Sequence, residues 1–136
     1  MWIHGDGHVI LGNRVILDAS AAPIELFPWA GAEIVIGDDC VLEGGTSIEA
    51  TRSIRIGSGA RIGSFARIMD SHFHALVGDR HVRPEPQPVV LEDDVQLGPR
   101  CVVLAGSRIA CGARITAATV VRRPSRRQAP ATTRTP

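Results

Sequence analysis

The sequence predicts an all-β chain wound as a parallel β-helix of six-residue repeats. Three observations lead there: an aliphatic residue that returns every six positions, a small residue four places after it, and a near absence of aromatic rings. Between Leu91 and Val121 the period runs unbroken through Leu91, Leu97, Val103, Ile109, Ile115 and Val121. The position four later holds Val95, Cys101, Ser107, Ala113, Thr119 and Ser125. Six is not a helical period, and Gly37, Gly57, Gly63 and Gly98 would weaken helices. A short strand and a sharp turn suit it, three to a triangular coil, with the aliphatic residue inward and the small one in the crowded interior.

The same hexad opens earlier in other phases. Leu11 and Leu17 make one register, with Val15 and Ala21 at the small position. Ile36, Leu42 and Ile48 make a second, followed by Cys40, Thr46 and Arg52. Ile56, Ile62 and Ile68 make a third, followed by Ala60, Ala66 and His72. Phase breaks place insertions at the corners: a long one near 22–34, a two-residue slip near Arg52 and a long one at 71–88. The recognisable hexads amount to four to five coils, a prism roughly 20–25 Å tall at the spacing of paired strands. A prism this short buries limited surface, so association through its flat faces is expected, with threefold symmetry suiting the triangular section.

Composition agrees. The 136 residues are 44% hydrophobic and 21% charged, which fits one folded domain and excludes a disordered chain. Aromatics are 4%, with no Tyr, as expected where aliphatic stacking fills the core. No apolar run approaches the ~18 residues of a membrane span, and the opening Met1-Trp2-Ile3-His4 is not expected to act as a signal peptide. The net charge is +1, unevenly spread: from Arg122 onward there are five Arg and no acid, so the body is acidic. That gives nucleic-acid binding little support. The domain is expected over 1–124, and 125–136 reads as a disordered basic tail that meets phosphates or is simply solvated. Cys40, Cys101 and Cys111 lack zinc or disulfide spacing, consistent with a reducing cytoplasm.

The interruption DSHFHALVGDRHVRPEPQP (70–88) is the informative break, with Pro84, Pro86 and Pro88 stiffening an extended arm. Long loops on a regular scaffold are where function tends to sit. With EIVIGDDCVLEGGTSIEA (33–50), IRIGSGARIGSFARIMDSHFH (54–74) and PVVLEDDVQLGPRCVVLAGSRIACGARITAATVV (88–121), this arm resembles the hexapeptide-repeat acyltransferases. It is closest to their maltose, galactoside and polysaccharide O-acetyltransferase branch, and the resemblance covers roughly Glu33 to Pro124.

The resemblance implies a left-handed β-helix that moves an acetyl group from acetyl-CoA, a co-substrate, to a hydroxyl of a saccharide-like acceptor in a homotrimer. No metal is expected. It implies a His general base on the arm: His74 first, after Phe73 in the family's DxDFH-like stretch, then His72, with His81 as the remaining choice. Imidazole titrates near working pH and can take the hydroxyl proton as the alcohol attacks. Asp70 either orients that imidazole or caps its turn. Glu43 and Gly45 match an acceptor-binding bend, where the family's Asn is missing and Glu43 either replaces it or is a solvated corner carboxylate. Gly98, Ala117, Ala118 and Thr119 match the backbone cradle of the pantetheine arm, and Arg122 and Arg123 the basic pair at the coenzyme phosphates. His4 and His8 precede the matched region and read as surface residues.

Gln96 stands where relatives carry Trp, and Pro99 has no amide hydrogen, so the amide of Gly98 or Arg100 is the expected oxyanion donor. Two other functions remain open: a catalytically silent β-helix serving assembly, and a γ-carbonic-anhydrase-like zinc enzyme. The latter needs histidines on later coils, and none lies beyond His81.

Overall fold

A computed structural model describes residues 1–71 and 85–123. Sixteen short strands follow in chain order: β1 (Trp2–Ile3), β2 (His8–Leu11), β3 (Ile16–Asp18), β4 (Glu25–Pro28), β5 (Glu33–Ile36), β6 (Val41–Glu43), β7 (Ser47–Ala50) and β8 (Ser53–Ile56). The second half holds β9 (Arg61–Ile62), β10 (Arg67–Met69), β11 (Val89–Leu91), β12 (Gln96–Leu97), β13 (Val102–Val103), β14 (Arg108–Ile109), β15 (Arg114–Ile115) and β16 (Val120–Val121). There is no helix among the described residues. Every third strand pairs, always in parallel, so the chain is a β-solenoid of about five turns with three walls. Sheet I stacks β1-β4-β7-β10-β13-β16, sheet II stacks β2-β5-β8-β11-β14, and sheet III stacks β3-β6-β9-β12-β15.

The registers put the repeat's aliphatic residues into three inward columns. Leu11, Ile36, Ile56, Leu91 and Ile109 align in sheet II. In sheet III the column is Leu17, Leu42, Ile62, Leu97 and Ile115. Sheet I aligns Ile3, Leu26, Ile48, Ile68, Val103 and Val121. Leu26, Ile36, Leu42, Ile48, Ile56, Ile62, Ile68 and Leu91 are fully or almost fully buried, each contributing about 1.5–3 kcal/mol through apolar burial. The first turn has no neighbour below it, and Ile3 and Leu11 are 51% and 39% exposed.

The small position is buried where expected at Cys40, Thr46, Ala60, Ala66, Val95, Cys101 and Ser107. Two expectations need correction. Ala21 and Arg52 are not interior, because both fall in corners that carry extra residues. The interval 22–34 is also not one insertion: β4 lies inside it and sends Leu26 to the core. Its spacings from Leu17 and to Ile36 exceed six, which hides it from a strict hexad.

The turns share one backbone device. Three residues after the inward aliphatic, the chain enters the left-handed region at Asp39, Gly45, Gly59, Phe65, Asp94, Arg100, Gly106, Gly112 and Ala118. The amide there donates to the turn of the coil below, as in Gly59 to Asp38 (2.8 Å), Asp94 to Ser58 (2.8 Å) and Arg100 to Ser64 (2.8 Å). Only Gly takes this conformation without steric cost. That Phe65 and Ala118 do so shows how strongly the stack dictates its turns.

Candidate functional site

The insertions gather on one edge. From sheet II to sheet III the inward residues are always six apart, and from III to I they are six apart after the first turn. From sheet I to sheet II the intervals are Ile3 to Leu11, Leu26 to Ile36, Ile48 to Ile56 and Ile68 to Leu91, all longer, before Val103 to Ile109 returns to six. The arm bearing the candidate bases therefore leaves an edge already widened in every turn beneath it.

Asp70 sits at the root of that arm, fully buried. Its Oδ1 accepts from the Thr51 amide (2.8 Å) and hydroxyl (3.0 Å), and its Oδ2 from the amides of Arg52 and Ser53 (both 2.8 Å). Its carbonyl accepts from the Gln87 amide at 2.8 Å, which joins the two ends of the excursion. The carboxylate thus clamps the widened corner of the turn below. His72, His74 and His81 lie outside the described residues, as does the tail from Pro124 onward.

The same edge continues upward to the basic pair. The Gly106 amide donates to the Gln87 carbonyl (3.0 Å), and a guanidinium nitrogen of Arg123 lies 3.5 Å from Gln87 Oε1. Arg122 and Arg123 are both exposed. Asp70, Gln87, Gly106 and Arg123 thus form one column.

The other candidates occupy the edge between sheets III and I. Glu43 ends β6, exposed, and accepts the Ser64 amide on Oε1 at 3.1 Å. Gly45 has φ +81°, and a β-carbon there would strike the Phe65 ring. Phe65 is itself 48% exposed and lies under the Arg100 guanidinium, 5.7 Å from the ring centroid. Above it, Gly98 presses against Ala117 so closely that a β-carbon would meet the Ala117 nitrogen at 2.7 Å. Ala117 and Ala118 are exposed, and Thr119 shares a hydroxyl–hydroxyl bond of 3.1 Å with Thr116.

Neither expected oxyanion amide is free. Gly98 N–H donates to the Ile115 carbonyl and Arg100 N–H to the Ser64 carbonyl, both at 2.8 Å. Pro99 contributes a carbonyl that accepts from Ala118 at 2.9 Å. Among the described residues, the Ala117 amide makes no hydrogen bond. The Thr116 and Thr119 amides are likewise unbonded among the described residues, so this edge has several amides to offer an incoming carbonyl.

One chain thus brings Asp70 and Arg123 to one edge, and Glu43, Gly45, Gly98 and Ala117–Thr119 to another. Sheet I separates them by roughly 15–20 Å at the rise of a strand. The sequence reading missed Gln87, and nothing in its place between Pro86 and Pro88 marks it as a residue that bonds back to Asp70. It also missed Phe65 and Arg100, which a search for the turn position three after each aliphatic would have found. The cysteines are free: Cys40 and Cys101 are buried and Cys111 is exposed. Burial pushes the Cys40 thiol up, and its Sγ donates to the Gly57 carbonyl at 3.1 Å. Among the described residues no group of three His, Cys, Asp or Glu is placed to hold a metal, and no helix is long and apolar enough to cross a membrane.

No family model matches the chain, and neither a curated protein nor a solved structure matches it.

Proposed function

We propose that this protein transfers an acetyl group from acetyl-CoA to a hydroxyl of a saccharide-like acceptor, at a site shared between neighbouring copies of a homotrimer. The observation that carries the reading is the six-residue β-solenoid whose longest interruption, on its widened edge, is the stretch that contains DSHFH. The resemblance to hexapeptide-repeat acetyltransferases supports the same reading. In it, His74 takes the acceptor proton while the alcohol oxygen attacks the thioester carbonyl, and coenzyme A leaves as its thiol. Positioning both substrates supplies much of the acceleration. Ala117, Ala118 and Thr119 leave room for the pantetheine arm, the unbonded Ala117 amide faces its carbonyls, and Arg122 and Arg123 meet the phosphates. Because the two edges lie apart in one chain, the arm of one copy works against the III–I edge of the next.

The test is thiol release from acetyl-CoA with a panel of sugars. His74→Ala is expected to lower turnover about 10²–10⁴-fold with acetyl-CoA binding retained. Unchanged turnover in both His74→Ala and His72→Ala would refute the base assignment. A second reading, a silent assembly protein, is favoured by the Gly98 and Arg100 amides being spent within the stack. Robust self-association without any acyl-CoA binding selects it.

A further inference from the structure

We infer that the outer face of sheet I, in its first turns, is a binding site for a small alkylated ammonium cation, with His4, Phe27 and Trp29 as walls and Glu49 as counter-charge. The inference does not rest on the acetyl-transfer reading.

The chain has two Trp, three Phe and no Tyr, and its core is aliphatic. Packing therefore makes no demand for aromatic rings, yet Trp2, Phe27 and Trp29 all come to this one face. The pairing registers explain how. Ile3 pairs with Leu26 and Phe27 with Glu49, which places His4, Phe27 and Glu49 one above the next on successive turns. The His4 and Phe27 rings lie stacked, 4.7 Å apart and 18° from parallel, and Trp2 meets His4 edge-on at 6.1 Å. Trp29 Nε1 donates to Glu49 Oε2 at 2.8 Å, which fixes both the indole and the carboxylate. His4, Gly5, Phe27, Trp29 and Glu49 line a half-open pocket of about 220 Å³.

The walls are held by the backbone rather than by a ligand. His4 N–H donates to the Leu26 carbonyl and Trp29 N–H to the Ala50 carbonyl, each at 2.9 Å. Gly5, at φ +98°, brings the chain so close to Pro28 that a β-carbon would collide with its carbonyl. Such preorganisation lowers the ordering cost of binding.

Charge selects the occupant. Arg14–Asp39, Arg55–Glu33 and Arg108–Glu92 are the ion pairs among the described residues, so Glu49 has no cationic partner there. A half-buried carboxylate attracts a cation through its charge, and the half-exposed indole of Trp29, held by its N–H edge, leaves a ring face that adds its quadrupole. A neutral sugar would use the rings and leave the charge uncompensated. An alkylated ammonium satisfies both, since its methyl groups need no hydrogen bonds from the rings.

The full chain is titrated with choline chloride and tetramethylammonium chloride at constant ionic strength, read by tryptophan fluorescence. Trp29 lines the site and Trp2 meets its His4 wall edge-on, so the signal reports the site. A saturable change is expected, with the midpoint about tenfold higher in Glu49→Gln, and titration calorimetry of Trp29→Ala, which lacks the reporting indole, is expected to detect no binding. The uncharged isostere 3,3-dimethylbutan-1-ol is expected to bind about tenfold more weakly than choline. Far-ultraviolet circular dichroism checks that each variant remains folded. Phosphatidylcholine vesicles separate the sources: a response to choline alone assigns a free cation, and a response to both assigns the lipid headgroup bearing the same group. An unaltered midpoint in Glu49→Gln, equal affinity for the uncharged isostere, or tighter binding of methyl glucoside than of choline overturns the proposal.

Discussion

Asp70 condenses the problem of a carboxylate beside a candidate catalytic arm. Its two oxygens already receive three backbone amides and one hydroxyl from Thr51, Arg52 and Ser53. Each donor stranded in a buried place costs about 1–3 kcal/mol. Asp70→Ala is therefore expected to lose at least about 3 kcal/mol, seen as a lower urea midpoint, and Asp70→Asn less because one acceptor oxygen survives. The pair also separates two roles. If Asp70 only clamps the corner, turnover per folded molecule of Asp70→Asn matches the wild type; if it positions the imidazole, turnover falls and its pH profile shifts while the fold survives. A contrasting carboxylate is Asp39, whose hydrogen bond from Arg14 holds it below its usual range at an exposed site. Its stabilisation is present at neutral pH and fades as pH falls through that lowered value, but solvent screening keeps it small.

Individual strands are two to four residues long, too short to persist alone, so each one depends on the turns above and below it. Position in the stack should then set the cost of losing the same chemistry. Leu26 is fully buried between Ile3 and Ile48, and Ile3 is 51% exposed at the open end. Leu26→Ala is expected to cost about 2–5 kcal/mol and Ile3→Ala under about 1 kcal/mol, compared by denaturant unfolding. Equal losses would contradict the column geometry. The same contrast explains what could be read beforehand. Where the spacing is six, as from Leu91 to Val121, the period alone located every inward residue. Leu26 and Ile3 escaped because eight, nine or ten residues separate them from their neighbours in the chain, and pairing across coils, rather than local spacing, fixes their register. The residue at the left-handed turn position varies among Gly, Asp, Arg, Phe and Ala, so its conformation left no uniform mark on the sequence.

At the scale of the whole molecule, three walls impose three edges, and the candidate residues divide between two of them. The arm positions were legible as an interruption, whereas the separation of the edges emerged only once the coils were stacked. A site built across copies makes a prediction that a site within one chain does not. If the copies form trimers, co-expression of equal amounts of His74→Ala and Ala117→Trp chains, each inactive alone, should restore about a quarter of wild-type turnover, because roughly three trimers in four are mixed and each mixed trimer pairs one intact arm with one intact groove among its three junctions. No recovery on mixing would confine the chemistry to a single subunit.

The uneven spacing around the solenoid also bears on how such a chain can change. Two of its ridges are stitched shut by hydrogen bonds that leave no slack after the opening coil, so an added residue there would throw every later column out of register. The third ridge absorbs surplus chain and still returns to phase, from Ile68 to Leu91 most generously. It is the seam along which new segments can be grafted without disturbing what lies above or below.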